Sequence, residues 1–303
     1  MKIVDCSFTN SDTEYNLIKE FLFSVETCPD FDDAWDPGRM DFWRYNVHAG
    51  KEEDFFRANA HYWQTEMGRV VGLFISEYGG NDFFILVHPS FLALFPEVLE
   101  WGLEFWAQGK PEISTSIFTN DRQKVEQLTA AGFSEEGHES NVRTYVLQQY
   151  DFSYVLKSGF ELQSFPEYGN YESRVRLVQD AFDNPSYSEA RLRSLQSSPS
   201  YQPDLDLVIV NPQGESVAYC LGWIKENHVK SGYIEPLGTH PDYRRNGFGT
   251  ALAKECFKRL FNMGVESVSI ASNAEPDVAN FLYESLNPAS IKRAYRYSLR
   301  IEK

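Results

Sequence analysis

A short phrase occurs twice in this chain. His88-Pro89-Ser90-Phe91 returns as His240-Pro241-Asp242-Tyr243, 152 residues later, and Asn141–Leu147 (NVRTYVL) resembles Lys292–Leu299 (KRAYRYSL) near the end. Self-similarity at a fixed offset marks a duplicated unit. It constrains the chain to two related domains, residues 1–150 and 159–303, joined within Gln148–Gly159, and 303 residues are comfortable for two cores. Two unrelated α/β domains are the competing reading.

Local patterns repeat in the same way. Ser11-Asp12-Thr13-Glu14 is a capping box, opening a helix with Ile18, Phe21, Leu22 and Val25 inward. Val70–Glu77, Phe83–Val87 and Ile113–Phe118 read as strands, Pro96–Gln108 and Asp121–Ala131 as helices stopped by Gly109 and Gly132. In the second half a helix spans Glu172–Phe182, with Val175, Val178, Ala181 and Phe182 at helical spacing, and another follows Ser188 with Leu192 and Leu195. Leu205–Val210 and Val217–Ile224 form a hairpin through Asn211-Pro212-Gln213-Gly214. Tyr233–Thr239 is a strand. A helix from Gly247 presents Leu252, Cys256, Phe257, Leu260 and Phe261 on one face and ends at Gly264. The strand Val265–Ala271, a helix over Pro276–Leu286 and a strand over Arg293–Ile301 complete the chain.

The run that carries chemistry is Gly232–Leu252, GYIEPLGTHPDYRRNGFGTAL. A strand ends, a loop follows, and a helix starts among glycines. A helix N-terminus exposes unpaired N–H groups and the positive end of its dipole, which suits a phosphate. Gly247 and Gly249 bare the backbone for close approach, and Arg244 and Arg245 add positive charge. Gly-x-Gly alone is a weak signal. Strand, loop, Arg-x-x-Gly-x-Gly and amphipathic helix in this order is a strong one.

This run resembles the pyrophosphate-binding segment of the GCN5-related N-acetyltransferase (GNAT) family, whose pattern is Arg or Gln, two residues, Gly, one residue, Gly or Ala. Arg244, Gly247 and Gly249 match. The likeness continues to Asn280–Leu286 (NFLYESL), similar to the family's Leu-Tyr-x-x-Leu-Gly-Phe helix, and so covers most of residues 159–303. It implies two tandem GNAT-like domains, each a mixed, mostly antiparallel sheet flanked by helices. It also implies acetyl-coenzyme A as co-substrate and no metal. By resemblance, Leu237, Gly238 and Thr239 pair with the pantetheine arm, and the amides of Arg245, Asn246, Gly247, Phe248, Gly249 and Thr250 surround the pyrophosphate beside Arg244. There are departures. Asn287-Pro288 replace the usual Gly-Phe, and Pro276 stands where the family often has an asparagine, leaving Asn273 or Asn280 to take over that contact. The first half departs further. After His88-Pro89 come Ser90–Pro96 with bulky side chains and no Arg-x-x-Gly-x-Gly, and Leu128 takes the place of Tyr283. The resemblance implies a degenerate first half without a cofactor site.

Acyl transfer to an amine needs a base for the amine, stabilisation of the oxyanion and a proton for the departing thiolate. Glu235, on the strand before the phosphate loop, is the candidate base, with a half-exposed structural carboxylate as the alternative. Tyr283 matches the family tyrosine that protonates the sulfur, with a core aromatic as the alternative. The oxyanion donor implied by the family is a backbone N–H near Leu237.

Charge narrows the acceptor. The net charge is −16, and residues 1–150 carry 25 Asp/Glu against 11 Lys/Arg. A negative field repels nucleic acid and favours a cationic small molecule, polyamine-like or aminoglycoside-like, or a basic peptide; solubility explains the same charge equally well. The densest acidic stretch, Pro29–Asp41, includes Trp35 and reads as a substrate loop or a solvated one. A coenzyme A-binding regulatory module without turnover is the rival function class. No apolar run is long enough for a membrane span and no secretory signal opens the chain. Cys6, Cys28, Cys220 and Cys256 are scattered, as in a reduced cytoplasmic protein, and His48, His61, His88 and His240 lack zinc-ligand spacing.

Overall fold

The structure is a computed structural model that describes residues 2–26, 28, 35, 37–118, 121–225, 230–275 and 278–301. It divides into two compact units. The first comprises residues 1–44, 50–140 and 292–303, the second residues 45–49 and 141–291. The end of the first half, from residue 141, therefore belongs to the second unit, and the end of the second half, from residue 292, to the first.

In the first unit the order is β1 (Ile3–Ser7), α1 (Asp12–Glu26), α2 (Pro37–Phe42), α3 (Glu53–Asn59), β2 (Ala60–Thr65), β3 (Val70–Ile75), β4 (Phe84–Val87), α4 (Phe95–Trp101), β5 (Glu112–Phe118), α5 (Arg122–Ala130) and the start of β6 (Ser134–Val146), which from Asn141 on belongs to the second unit. The capping box forms as the sequence requires. Glu14 N–H donates to Ser11 Oγ at 3.3 Å, and Ser11 N–H to Glu14 Oε2 at 3.2 Å. Ile18, Phe21, Leu22 and Val25 are buried. The sheet order is β1-β2-β3-β4, antiparallel throughout. The expected helix over Pro96–Gln108 is α-helical only through Trp101 and widens into a π-helical turn over Gly102–Trp106.

The second unit continues with β7 (Glu161–Ser164), α6 (Phe165–Tyr168), α7 (Tyr171–Phe182), α8 (Glu189–Gln196), β8 (Asp206–Val210), β9 (Ser216–Ile224), β10 (Ser231–Thr239), α9 (Phe248–Asn262), β11 (Ser267–Asn273) and α10 (Val278–Ser285). The last strand, β12 (Ser290–Arg300), returns to pair antiparallel with β5, Ala294 opposite Phe118. In the second unit the strands run β7-β8-β9-β10-β11, and β6 lies next to β11. The β8–β9 turn closes with Gly214 N–H on Asn211 C=O at 2.9 Å.

Helix α9 buries Leu252, Cys256, Phe257 and Leu260 completely against this sheet. Each large apolar side chain so buried contributes about 1.5–3 kcal/mol. Phe261, expected on that face, is 41% exposed and lies on Phe152 instead. The other face of the sheet is covered by α7 and α8, whose Leu177, Val178, Leu192 and Leu195 are buried. Within it lies an ion pair, Arg174 to Asp206 at 3.1 Å, both essentially without solvent. Phe182, expected inward, is 46% exposed at the C-terminal end of α7.

Candidate functional site

Strand β10 is irregular where the motif predicts function. Its register against β9 shifts between Ile234 and Leu237, because Glu235 and Pro236 form a bulge there. A proline inside a strand is a signal for a bulge that the sequence carried unused. Trp223 Nε1 donates to the Glu235 carbonyl at 2.7 Å and pins the bulge. On its other side, β10 pairs in parallel with β11 only over Ser231–Tyr233 opposite Ser267–Ser269. β10 nevertheless runs on to Thr239 and β11 to Asn273. The two strands part, and the edge of Leu237–Thr239 that faces β11 is left outside the ladder.

The phosphate motif lies directly after this opening. His240 caps a short turn, its Nδ1 accepting from Asp242 N–H at 3.2 Å. Arg245 and Gly247 then adopt left-handed backbone, φ 65° and 79°. Asn246 Nδ2 braces the loop on the carbonyls of Tyr243 (3.0 Å) and Arg244 (3.3 Å). The first helical bond of α9 is Ala251 N–H to Gly247 C=O at 3.0 Å. The N–H groups of Phe248, Gly249 and Thr250 precede it, and the N-cap, Gly247, has no side chain to satisfy them. Arg244–Gly247, the loop that leads to these amides, is exposed, and Gly249 and Thr250 are half-buried.

The two glycines play different parts. A Cβ on Gly247 would meet nothing within 4 Å, so its requirement is the left-handed φ. A Cβ on Gly249 would stand 2.7 Å from Leu282 Cδ2 and 3.6 Å from Leu237 Cδ2. Gly249 is therefore a packing glycine, at the point where β10, α9 and α10 converge. Arg244 donates Nε to Thr239 C=O and Nη2 to Ala181 C=O, both at 3.3 Å, and so ties the loop to β10 and α7.

Helix α10 carries Tyr283, 6% exposed and packed in the core with Leu252, Phe257 and Leu286. Glu235 is half-buried at the bulge. Asn280 has a full set of partners. Its Oδ1 accepts from Arg143 Nη2 (3.0 Å) and Ser272 Oγ (2.7 Å), and its Nδ2 donates to the carbonyls of Asn273 and Glu275 at 2.9 Å each. An amide offers two donors and two lone pairs, and with these partners Asn280 holds α10 on the end of β11. Pro276 lies outside the described residues. Sequence reasoning missed Arg143 and Tyr145; both sit in the repeated phrase NVRTYVL, which pointed to a duplication but not to where its strand pairs.

The acidic stretch of the first unit is partly core. Trp35 and Asp41 are buried, Asp41 taking Lys19 at 2.9 Å and Trp35 donating to Glu77 at 2.5 Å; residues 29–34 and 36 lie outside the described residues. All four cysteines are free thiols. Among the described residues no group of three or more His, Cys, Asp or Glu could hold a metal, and no helix is long and apolar enough to cross a membrane.

Residues 173–287 match the model of the acetyltransferase (GNAT) family. An acetyltransferase of Sodalis glossinidius is 32% identical over 87 residues, and one of Yersinia pestis 33% over 88, each match covering 29% of this chain. The chain spans about three fifths of the length of these relatives, 58% and 60%. A GCN5-related N-acetyltransferase from Sphaerobacter thermophilus shares the fold over 99% of this chain and 96% of its own, with TM-score 0.65 and 18% identity. A tandem GNAT protein from the clavulanic acid biosynthesis pathway does so over 100% and 99%, with TM-score 0.66 and 13% identity. At these identities the two structures speak for the fold, two tandem GNAT-like domains. The family model lies within the half that holds the parted strands and the open amides, and it is this segment, residues 173–287, that is similar to the GNAT family.

Proposed function

We propose that the chain is an acetyl-coenzyme A-dependent N-acetyltransferase, acting in its second unit on a primary amine of a cationic small molecule. The observation that carries this reading is the juxtaposition of the β10–β11 opening with the uncapped N-terminus of α9. The edge of Leu237, Gly238 and Thr239 that is unpaired with β11 suits the amide-bearing pantetheine arm. The amides of Arg245–Thr250, with two left-handed residues among them, suit a pyrophosphate. Bound acetyl-coenzyme A supplies the thioester carbonyl. Glu235 accepts the proton the amine must lose, through water, since an amine of pKa about 10 is protonated at neutral pH. Tyr283 donates its phenolic proton to the sulfur as the C–N bond forms and the C–S bond breaks. The net of −14 on residues 1–150 favours a cationic acceptor.

The test is free-thiol release from acetyl-coenzyme A with a panel of polyamines, aminoglycosides and basic peptides, paired with calorimetry. Turnover with a cationic small molecule and one acetyl-coenzyme A per chain are expected. Two equal sites per chain would remove the asymmetry between the halves, tight binding without turnover on any amine would make the protein a coenzyme A sensor, and preference for peptides would replace the acceptor class.

A further inference from the structure

Helix α10 meets the apolar core through Tyr283 and the partly buried Ala279 and Leu282. It has eight residues, of which only Tyr283 is buried, while Val278 and Phe281 are 56% and 68% exposed. So short a helix has no stability of its own, and its placement depends on what grips it. Besides this packing and the bonds of Asn280 to β11, a polar grip comes from β6, the closing strand of the first half of the sequence. Arg143, 1% exposed, donates Nη1 to Ser272 Oγ on β11 at 2.8 Å and Nη2 to Asn280 Oδ1 at 3.0 Å and Glu284 Oε1 at 3.2 Å on α10. Tyr145, fully buried, donates its hydroxyl to the carbonyl of Tyr283 at 2.7 Å. Its ring is held by Phe257, centroids 4.9 Å apart. Burial pushes the Tyr145 phenol above its ordinary range, so it remains a donor at every working pH. A buried guanidinium forked between a strand end and a helix fixes orientation as well as distance.

We propose that Arg143 and Tyr145 are positioning residues for acyl transfer, acting through α10, the helix of Tyr283. The first half of the chain thereby takes part in the reaction by supplying β6. This rests on the reading of the second unit as the acetyltransferase site. Neither side chain has a reacting atom to serve; their effect is to hold the donor of the proton in place, and misplacement by a fraction of an ångström is felt in turnover more than in binding.

The full-length chain tests this with Tyr145→Phe, Arg143→Lys, Arg143→Met, Tyr283→Phe and the double variant Tyr145→Phe/Tyr283→Phe. Measured are kcat, KM for acetyl-coenzyme A and amide hydrogen exchange over residues 278–286. Tyr145→Phe keeps the packed ring, and Leu286 N–H still reaches the Tyr283 carbonyl at 3.3 Å, so folding is preserved. Expected is a kcat about 10-fold lower with KM within about two-fold, and faster exchange in α10 but not in α9. On the Tyr283→Phe background the same change should add less than about two-fold, because the two act as one unit. Arg143→Lys should fall between wild type and Arg143→Met. Where Tyr283→Phe lowers turnover, losses that multiply overturn the proposal, as does α10 exchange at the wild-type rate in Tyr145→Phe. If Tyr283→Phe alone keeps full turnover, the acid assignment fails by itself. Faster α10 exchange with lowered kcat in Tyr145→Phe then supports positioning through the helix, and unchanged exchange refutes it.

Discussion

Gly247→Ala separates backbone strain from ligand binding. Gly247 has φ 79°, and the added methyl would meet no protein atom within 4 Å. An L-residue in left-handed backbone costs about 1–2 kcal/mol. For a unit of this size that lowers Tm by roughly 2–8 °C. Gly247 is the N-cap of α9, so strain there bears on the turn that presents the amides of Phe248–Thr250. Displacing a phosphate from one charge-assisted hydrogen bond costs about 1.5–3 kcal/mol. That weakens acetyl-coenzyme A roughly 10- to 100-fold. Gly214→Ala is the control. That residue also has a left-handed φ, 81°, and open space around its Cβ, but it sits in the β8–β9 turn. Calorimetric Kd and thermal unfolding should show similar falls in Tm for both variants, with affinity lost only at Gly247. Equal affinities in the two would place the pyrophosphate elsewhere. A valine at 247 adds β-branching to the same strain, so loss of binding there would not isolate the ligand effect.

Three further outcomes are expected. Tyr283→Phe should lower kcat on the order of 10²-fold at nearly constant acetyl-coenzyme A affinity, measured by thiol release under rate-limiting chemistry; full turnover would make it a packing residue. Asp206→Ala strands the buried Arg174 and should destabilise by about 3–5 kcal/mol, whereas Arg174→Met with Asp206→Leu should recover most of it in denaturant titrations; equal losses would refute the pairing argument. Burial lowers the pKa of His61, and burial with Arg69 nearby lowers that of His88, so the native state favours both rings neutral. Their contribution is complete above the ordinary value of about 6.5 and is lost as pH falls below it toward the folded pKa. Replacing both with Gln should flatten the acid side of the Tm profile, and an unchanged slope would assign it to other groups.

The sequence disclosed most of the elements and the phosphate loop, because both depend on local signals. Ser11 with Glu14, Ser188 before α8 and Gly214 in its turn act within a few residues of themselves. What stayed hidden was non-local. Strand β7 is four residues with one buried side chain, too short for a pattern. Phe261 and Phe182 sat at helical spacing yet lie at the margins of their faces, since a stripe's width is set by the partner it meets and not by its own period. That Gly249 is also needed for packing was hidden, because Leu282, which crowds it, comes from 33 residues further on. The pairing of β6 beside β11 and of β12 with β5 has no local signature at all; either strand alternates equally well in either place.

The two halves differ where a ligand would lie and agree where the scaffold turns. His88 N–H reaches Val71 C=O at 2.9 Å and its Nδ1 accepts from Ser90 N–H at 3.1 Å; His240 N–H reaches Val217 C=O at 2.9 Å and its Nδ1 accepts from Asp242 N–H at 3.2 Å. The same cap is built twice. Beyond it the second half opens into left-handed Arg245 and Gly247, while the first continues as a tight turn through Leu94 into α4, with Pro96 in the first turn of that helix. Proline removes one of the amides an anion needs. Leu94 and Phe95 are buried in one cluster with Ile85, Val87, Ile113 and Ile117, from the strands that flank the corresponding opening. A phosphate there would have to displace apolar side chains and lose its hydration without receiving a full set of donors, which is unfavourable on both counts. In the second half the corresponding loop is exposed, glycine-bearing and flanked by arginines. Side chains buried after the first His-Pro turn stabilise that unit, and backbone left bare after the second leaves part of its interaction free energy for a ligand to supply.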